Sequence, residues 1–97
     1  MATYIALVNW TDQGVRDFRN TIERADAVKE VARGLGGTQT TLYWTVGPYD
    51  VVAISEFPDD EAATAFALAV SSQGNVRTTS MRAFDADEMR AIIGKLA

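Results

Sequence analysis

The side chains of this 97-residue chain that could hold a ligand are Asn9, Trp10, Trp44, Tyr49, Asp50, Arg77 and Thr79. An aromatic wall of Trp10, Trp44 and Tyr49 with one carboxylate, one guanidinium and one amide suits a small polar, zwitterionic or aromatic molecule. Few polar groups are needed to fix the orientation of such a ligand. In this reading Asp50 and Arg77 face a shared cavity. Each residue also has an ordinary structural use. Asp50 can bond the backbone N–H groups of its own turn, Arg77 can form a surface or intersubunit ion pair, and tryptophan buries a large area in any core or interface. Glu56 would suit acid–base work if burial raised its pKa, against the commoner fate of glutamate as a solvated carboxylate.

The chain contains neither histidine nor cysteine. Without histidine, Ser-His-Asp and Cys-His catalysis, imidazole-ligated zinc or iron and imidazole proton shuttling are excluded. Without cysteine, so are disulfides, thiolate nucleophiles and thiolate metal sites. The acidic run Asp59-Asp60-Glu61 sits at a helix start, where the dipole favours negative charge, and no second cluster completes a coordination sphere. No metal and no cofactor is expected. A net charge of −4 and a pI of about 4.6 offer no basic stripe for phosphates, so nucleic acid is not an expected partner. The longest apolar run, Ala65 to Val70, is far short of the ~20 residues that span a bilayer. With no signal-peptide pattern at the N-terminus, the expectation is a cytoplasmic protein without a membrane partner.

The fold that must position these residues is organised around Tyr43 to Glu56, two apolar strands about a Gly47-Pro48 turn. Glycine tolerates positive φ, and proline fixes its own φ and donates no hydrogen bond. The β-branched and aromatic residues of Thr40–Val46 and Tyr49–Ser55 predict an antiparallel pair. Before it, Thr3–Trp10 reads as a strand and Val15–Asn20 as a short helical turn. Thr21 then caps a helix with Ile22, Ala25, Val28, Ala32 and Leu35 on one face and Glu23, Arg24, Asp26, Lys29, Glu30 and Arg33 on the other. Gly34 to Gly37 ends it. After the hairpin, Asp59 caps a second helix whose body, Ala62 to Val70, is apolar nearly all round and should be covered on more than one side. Val76–Phe84 alternates as a fourth strand. Asp85 and Glu88 stand at capping-box spacing, and a last helix puts Met89, Ile92, Ile93 and Leu96 on one stripe.

Strand, helix, strand, strand, helix, strand is the split βαβ order of the ferredoxin-like α+β fold, one domain over residues 1–97, with the helices on one sheet face and the first and third strands central. Both central strands are apolar on both faces. A second copy packing its sheet on the uncovered face is therefore expected, giving a homodimer or higher homo-oligomer of the dimeric α/β-barrel type.

Three stretches resemble the GYD-domain family: Asn9 to Gly14, Tyr43 to Asp50, and Gly74 to Thr79 followed by Arg82-Ala83-Phe84. The resemblance covers almost the whole chain, with Pro48 at the variable position of the Gly-x-Tyr-Asp signature. It implies the dimeric α/β-barrel fold and self-association, and it carries no established reaction or catalytic residue. The chain is also similar, more distantly, to the effector-binding domains of Lrp/AsnC-type regulators, which share the Gly-x-Tyr-Asp turn and the alternating Val76, Thr78 and Ser80. That likeness implies ligand binding at subunit interfaces. The expected function is a small-molecule-binding or assembly module. The alternative is a cofactor-independent oxygenase or isomerase that holds an aromatic or hydroxylated substrate with Trp10, Trp44 and Tyr49 and relies on Tyr43, Asp50 or Glu56.

Overall fold

The computed structural model describes residues 1–96. Strand β1 spans Ala2–Trp10, helix α1 Asp12–Arg16, and a 3-10 turn Phe18–Asn20. Helix α2 (Thr21–Gly34), strands β2 (Thr38–Trp44) and β3 (Val51–Phe57), helix α3 (Asp60–Ser72), strand β4 (Val76–Ala83) and helix α4 (Ala86–Ile93) follow. The strands form one antiparallel sheet in the order β2-β3-β1-β4. The first and third strands are central, and the ferredoxin-like topology is that expected from the sequence.

The pleat separates two different faces. Along β3, Val51, Ala53, Ser55 and Phe57 are buried, while Val52, Ile54 and Glu56 between them are only half-buried. Successive strand side chains point to opposite faces, so α2 and α3 cover the first set and leave the second uncovered. The register places Ile5 and Leu7 of β1 and Met81 of β4 on the same open face as Val52 and Ile54. On the covered side Phe57 is 1% exposed. Its ring lies 6.0 Å from that of Tyr4 and 5.0 Å from that of Phe66, which ties β1, β3 and α3 together. The chain leaves α2 through Gly36, at φ 78°, a conformation costly for any residue with a Cβ. Gly37 donates its N–H to the Ala32 carbonyl at 2.9 Å. A Cβ on Gly37 would run into the Phe57 ring, so that glycine is required by contact.

Several boundaries differ from the sequence reading. The strands of the hairpin are Thr38–Trp44 and Val51–Phe57, so a loop over 45–50 replaces the tight Gly47-Pro48 turn. The Thr45 N–H donates to the Asp50 carbonyl at 2.8 Å and the Thr45 hydroxyl to the Tyr49 carbonyl at 2.6 Å, so the loop closes at its base. Gly47 still takes a positive φ, 145°. The segment after β1 is helical from Asp12, earlier than expected, because the Thr11 side chain accepts the Gly14 N–H and caps α1. Thr21 is the first residue of α2 and makes no cap. Ile22, expected in the core, is 61% exposed, whereas Arg24, expected on the outer face, has only 18% of its side chain exposed. Asp59 caps α3 through the Ala62 N–H, and Asp85 with Glu88 forms the full capping box of α4. Helix α3 packs on the sheet and against α2, and Leu68 is left 67% exposed.

Removing the Phe57 ring takes out the largest fully buried side chain, so Phe57→Ala should lower unfolding free energy by about 3–5 kcal/mol. Chemical denaturation of the two proteins checks this.

Candidate functional site

The residues singled out from the sequence do gather at one end of the sheet. There β1 ends, β2 ends, and β3 and β4 begin, with Val8 opposite Val51, Trp44 opposite Val51, Asn9 opposite Arg77 and Trp10 opposite Val76. The pleat then splits them. Asn9, Arg77 and Thr79 are exposed on the open face, whereas Trp10 and Trp44 point to the helix side. Arg77 is exposed on the open face, and the Asp50 carboxylate is bonded to the backbone N–H of Trp10. The alternative acid–base residues are on the open side too, with Glu56 half-buried on β3 and Tyr43 66% exposed on β2.

Asp50 holds the end of the sheet together. Its carboxylate Oδ2 accepts the Trp10 N–H at 2.9 Å, and its own N–H donates to the Val8 carbonyl at 2.8 Å. Regular pairing of β1 with β3 stops at Val8 and Val51. Asp50 thus supplies, from a loop, the bonds that a longer strand would have made. Just beyond, the Thr11 N–H donates to the Asn75 carbonyl at 3.1 Å and the Thr11 hydroxyl to the Gly74 carbonyl at 2.5 Å. The Gln13 amide donates to the Gln73 carbonyl and to Asn75 Oδ1. Gly14 is buried so tightly on the Asn75 backbone that a Cβ would overlap its carbonyl oxygen. Gly74 turns the α3–β4 connection at φ 84°.

On the helix side the sheet, α2 and α3 enclose a cavity of about 100 Å³. Trp10 and Trp44 line it. Asn9, Tyr49, Asp50, Arg77 and Thr79 do not. Its other walls are residues that sequence reasoning passed over: Arg24 and Thr21 of α2, Gln39 of β2, Ser55 of β3 and Phe66 of α3. The Trp44 indole N–H donates to Thr21 Oγ1 at 2.9 Å, joining β2 to α2 across one edge. The signal present in the sequence was the run of small residues at alternate strand positions, Ala6, Ala53, Ser55, Thr78 and Ser80, all facing the helices. Small residues at core positions leave volume unfilled.

At the far end of the sheet the Tyr4 hydroxyl donates to Asp60 in the first turn of α3, a short contact. The Arg82 guanidinium lies over the Tyr4 and Phe84 rings, 5.7 and 4.4 Å from their centroids, and reaches Glu88 at 3.5 Å. The bond to Asp60, then desolvation and the Asp60 charge, hold the Tyr4 phenol above its ordinary 10.0. Among the described residues no cluster of acidic side chains could hold a metal ion, and no helix is long and apolar enough to cross a membrane.

The stretches joined by these bonds are those that carry the family resemblance, and the GYD domain model matches residues 4–93. This chain belongs to the GYD domain family. A relative from Thermus thermophilus, named glutamine synthetase and cystathionine beta-lyase binding protein, is 30% identical over 92 residues, covering 94% of this GYD domain and 97% of the relative. A Thermus thermophilus crystal structure matches 89% of this chain and 96% of its own, with TM-score 0.58 and 26% identity. The Mycobacterium tuberculosis leucine response regulatory protein matches 88% of this GYD domain with TM-score 0.66 and 15% identity. This chain spans about half the length of that regulator, and the likeness is one of fold.

Two outcomes follow for this GYD domain. Asp50→Ala strands the half-buried Trp10 N–H, so it should cost about 1–3 kcal/mol and speed hydrogen exchange at that amide, read by NMR. In an alkaline titration followed by tyrosine absorbance, one phenol should ionise late, and Tyr4→Phe should remove it. The bond stabilises the protonated phenol of the folded state. Its contribution is complete below about pH 10 and fades as pH rises through the raised folded value.

Proposed function

We propose that this GYD domain is a homo-oligomeric binding module. Two copies pack open sheet face against open sheet face, and the assembly attaches to enzymes of the kind its Thermus relative is named for, glutamine synthetase and cystathionine β-lyase. The observation that carries the reading is the alternation along β3. Val52 and Ile54, with Ile5, Leu7 and Met81 beside them, form an apolar face on the two central strands and β4 that neither α2 nor α3 covers. A contiguous apolar face of this kind marks an interaction surface, and a twofold pairing of one such face with itself is the commonest closed assembly. Helix α4 adds a second apolar stripe, with Met89 48%, Ile92 37% and Ile93 56% exposed and Leu96, beyond its end, 79% exposed, and this stripe is assigned to the enzyme partner.

Asn9, Arg77 and Thr79 form the polar end of the self-associating face, beside the loop that carries Tyr49 and Asp50. In this reading a small polar or aromatic ligand meets the assembly there. Binding is favoured over catalysis because the chain has no histidine or cysteine and because Asp50 is committed to the Trp10 backbone. The reading includes a cytoplasmic location.

Sedimentation velocity at micromolar concentration should give twice the chain mass or more, and Ile54→Arg should give a folded single copy by circular dichroism. A wild-type protein that sediments as one copy would falsify the self-associating part. The enzyme part is tested by interferometry against purified glutamine synthetase and cystathionine β-lyase of the same organism. Silence from both enzymes would remove it.

A further inference from the structure

We propose that the open sheet faces of two copies cross at close to right angles, with Arg77 of each copy paired to Glu56 of the other. The inference rests on the self-association proposed above and adds the one orientation in which the charges of this face meet.

The register gives the open face a diagonal pattern. One row across the sheet is Thr79, Leu7, Val52 and Tyr43, and the next is Met81, Ile5, Ile54 and Thr41. The four central side chains are apolar. The apolar band runs on to two opposite corners, Tyr43 on β2 and Met81 on β4, which are 66% and 43% exposed. The other two corners are polar. One holds Asn9, Thr79 and Arg77, and the other Thr38, Thr41 and Glu56. Thr38 and Thr41 share this face, and Gln39 takes the other, because the β2–β3 ladder slips by one residue between Gln39 and Thr41.

Each polar corner carries one charge. Arg77 is exposed and Glu56 half-buried, and neither forms an ion pair among the described residues. Arg77 is level with Asn9 and Glu56 with Thr3, at opposite ends of β1 and two strands apart across the sheet. From strand rise and spacing the two charges stand more than about 20 Å apart. They cannot pair within one copy.

A second copy brings them together in one orientation. Two identical faces pack about a twofold axis that lies between them. An axis along the strands lays β4 over β2 of the second copy and sets Arg77 toward its Tyr43 end. An axis across the strands lays β4 over itself and sets Arg77 toward Ala83. An axis joining the two polar corners sets Arg77 against its own equivalent. An axis along the apolar band, from Tyr43 to Met81, exchanges the polar corners and sets Arg77 on Glu56 at two symmetric contacts. The strands of the two sheets then cross near 90°, one of the two common ways that sheets stack. A guanidinium and a carboxylate make a strong, directional pair. At the rim of an apolar contact such a pair selects the orientation, because the alternatives leave the charges unmatched.

Arg77→Glu and Glu56→Arg each put like charges at both contacts, so each variant alone should dimerise about tenfold more weakly than the wild type in sedimentation velocity. Mixed in equal amounts, the two variants should form mixed dimers in excess of chance, because each contact again joins a glutamate to an arginine. Native mass spectrometry separates mixed dimers from the two homodimers by mass. Variants that dimerise like the wild type, or mixed dimers at the chance level, overturn the crossed orientation and leave face-to-face pairing standing. A wild type that sediments as one copy removes both. Should either reversal fail to fold by circular dichroism, Arg77→Gln and Glu56→Gln take their place. Their losses in dimer affinity should be less than additive in the double variant, and additive losses overturn the pair.

Discussion

The bond from the Trp10 N–H to the Asp50 carboxylate is the constraint on which one end of the sheet depends. Strand β1 outruns its partner β3 at Val8, and the Trp10 N–H beyond it would lack a partner on that edge. Asp50 closes that gap from a loop, and the loop is in turn closed by Thr45. With Trp10 fixed, Thr11 is placed to cap α1 and to bond Gly74 and Asn75, so that the start of β4 is clasped to the end of β1. Residues far apart in sequence thereby become one piece of structure. Of the polar residues that a ligand hypothesis would draw on, Asp50 is spent on joining strand ends.

The same sheet then meets two opposite problems on its two faces. On the helix side, small residues at alternate positions leave space beneath α2 and α3, and large side chains such as Phe57 fill only the end near β1 and α3. On the open side Ile5, Leu7, Val52, Ile54 and Met81 form an apolar centre that neither α2 nor α3 covers. The first face has room without enough side chain, and the second has side chain without enough cover. Burial is worth roughly 25 cal/mol per Å² of apolar surface, and a chain this short buries a modest share of its surface. Both faces therefore keep apolar surface that association would remove from water.

How much of this was legible in the sequence depends on the range of the interaction. The capping box of Asp85 and Glu88, the Asp59 cap and the turn at Gly36 rest on neighbours within a few residues, and they stand where the sequence puts them. Strand order followed from element order because the split βαβ connection admits few arrangements. Arg24 was misplaced because helical periodicity assigns a charged residue to solvent. Its guanidinium instead reaches the Asp17 and Gly14 carbonyls, acceptors that exist only once Asp12–Arg16 has formed α1. Gln39 was missed because a single-residue bulge reverses the face of everything before it, and no local residue pattern announced the bulge. The gathering of Asn9, Trp10, Trp44, Asp50 and Arg77 at one end was legible from topology. Their division between faces needed the register.

The state of the polar groups bears on whether this site was built to react or to hold. Reaction chemistry needs an acid or base free to change protonation in contact with substrate. Here Asp50 is held by a backbone amide, Asp59 by the Ala62 N–H, Asp60 by the Tyr4 hydroxyl, Asp85 and Glu88 by each other's backbone, and Arg24 by Asp17. Each of these groups is engaged in a bond that joins or caps parts of the fold. Beside exposed polar side chains such as Arg77, the structure leaves uncommitted an apolar sheet face and an apolar helix stripe. Those are surfaces for recognition, and they are why the molecule reads as a module that binds.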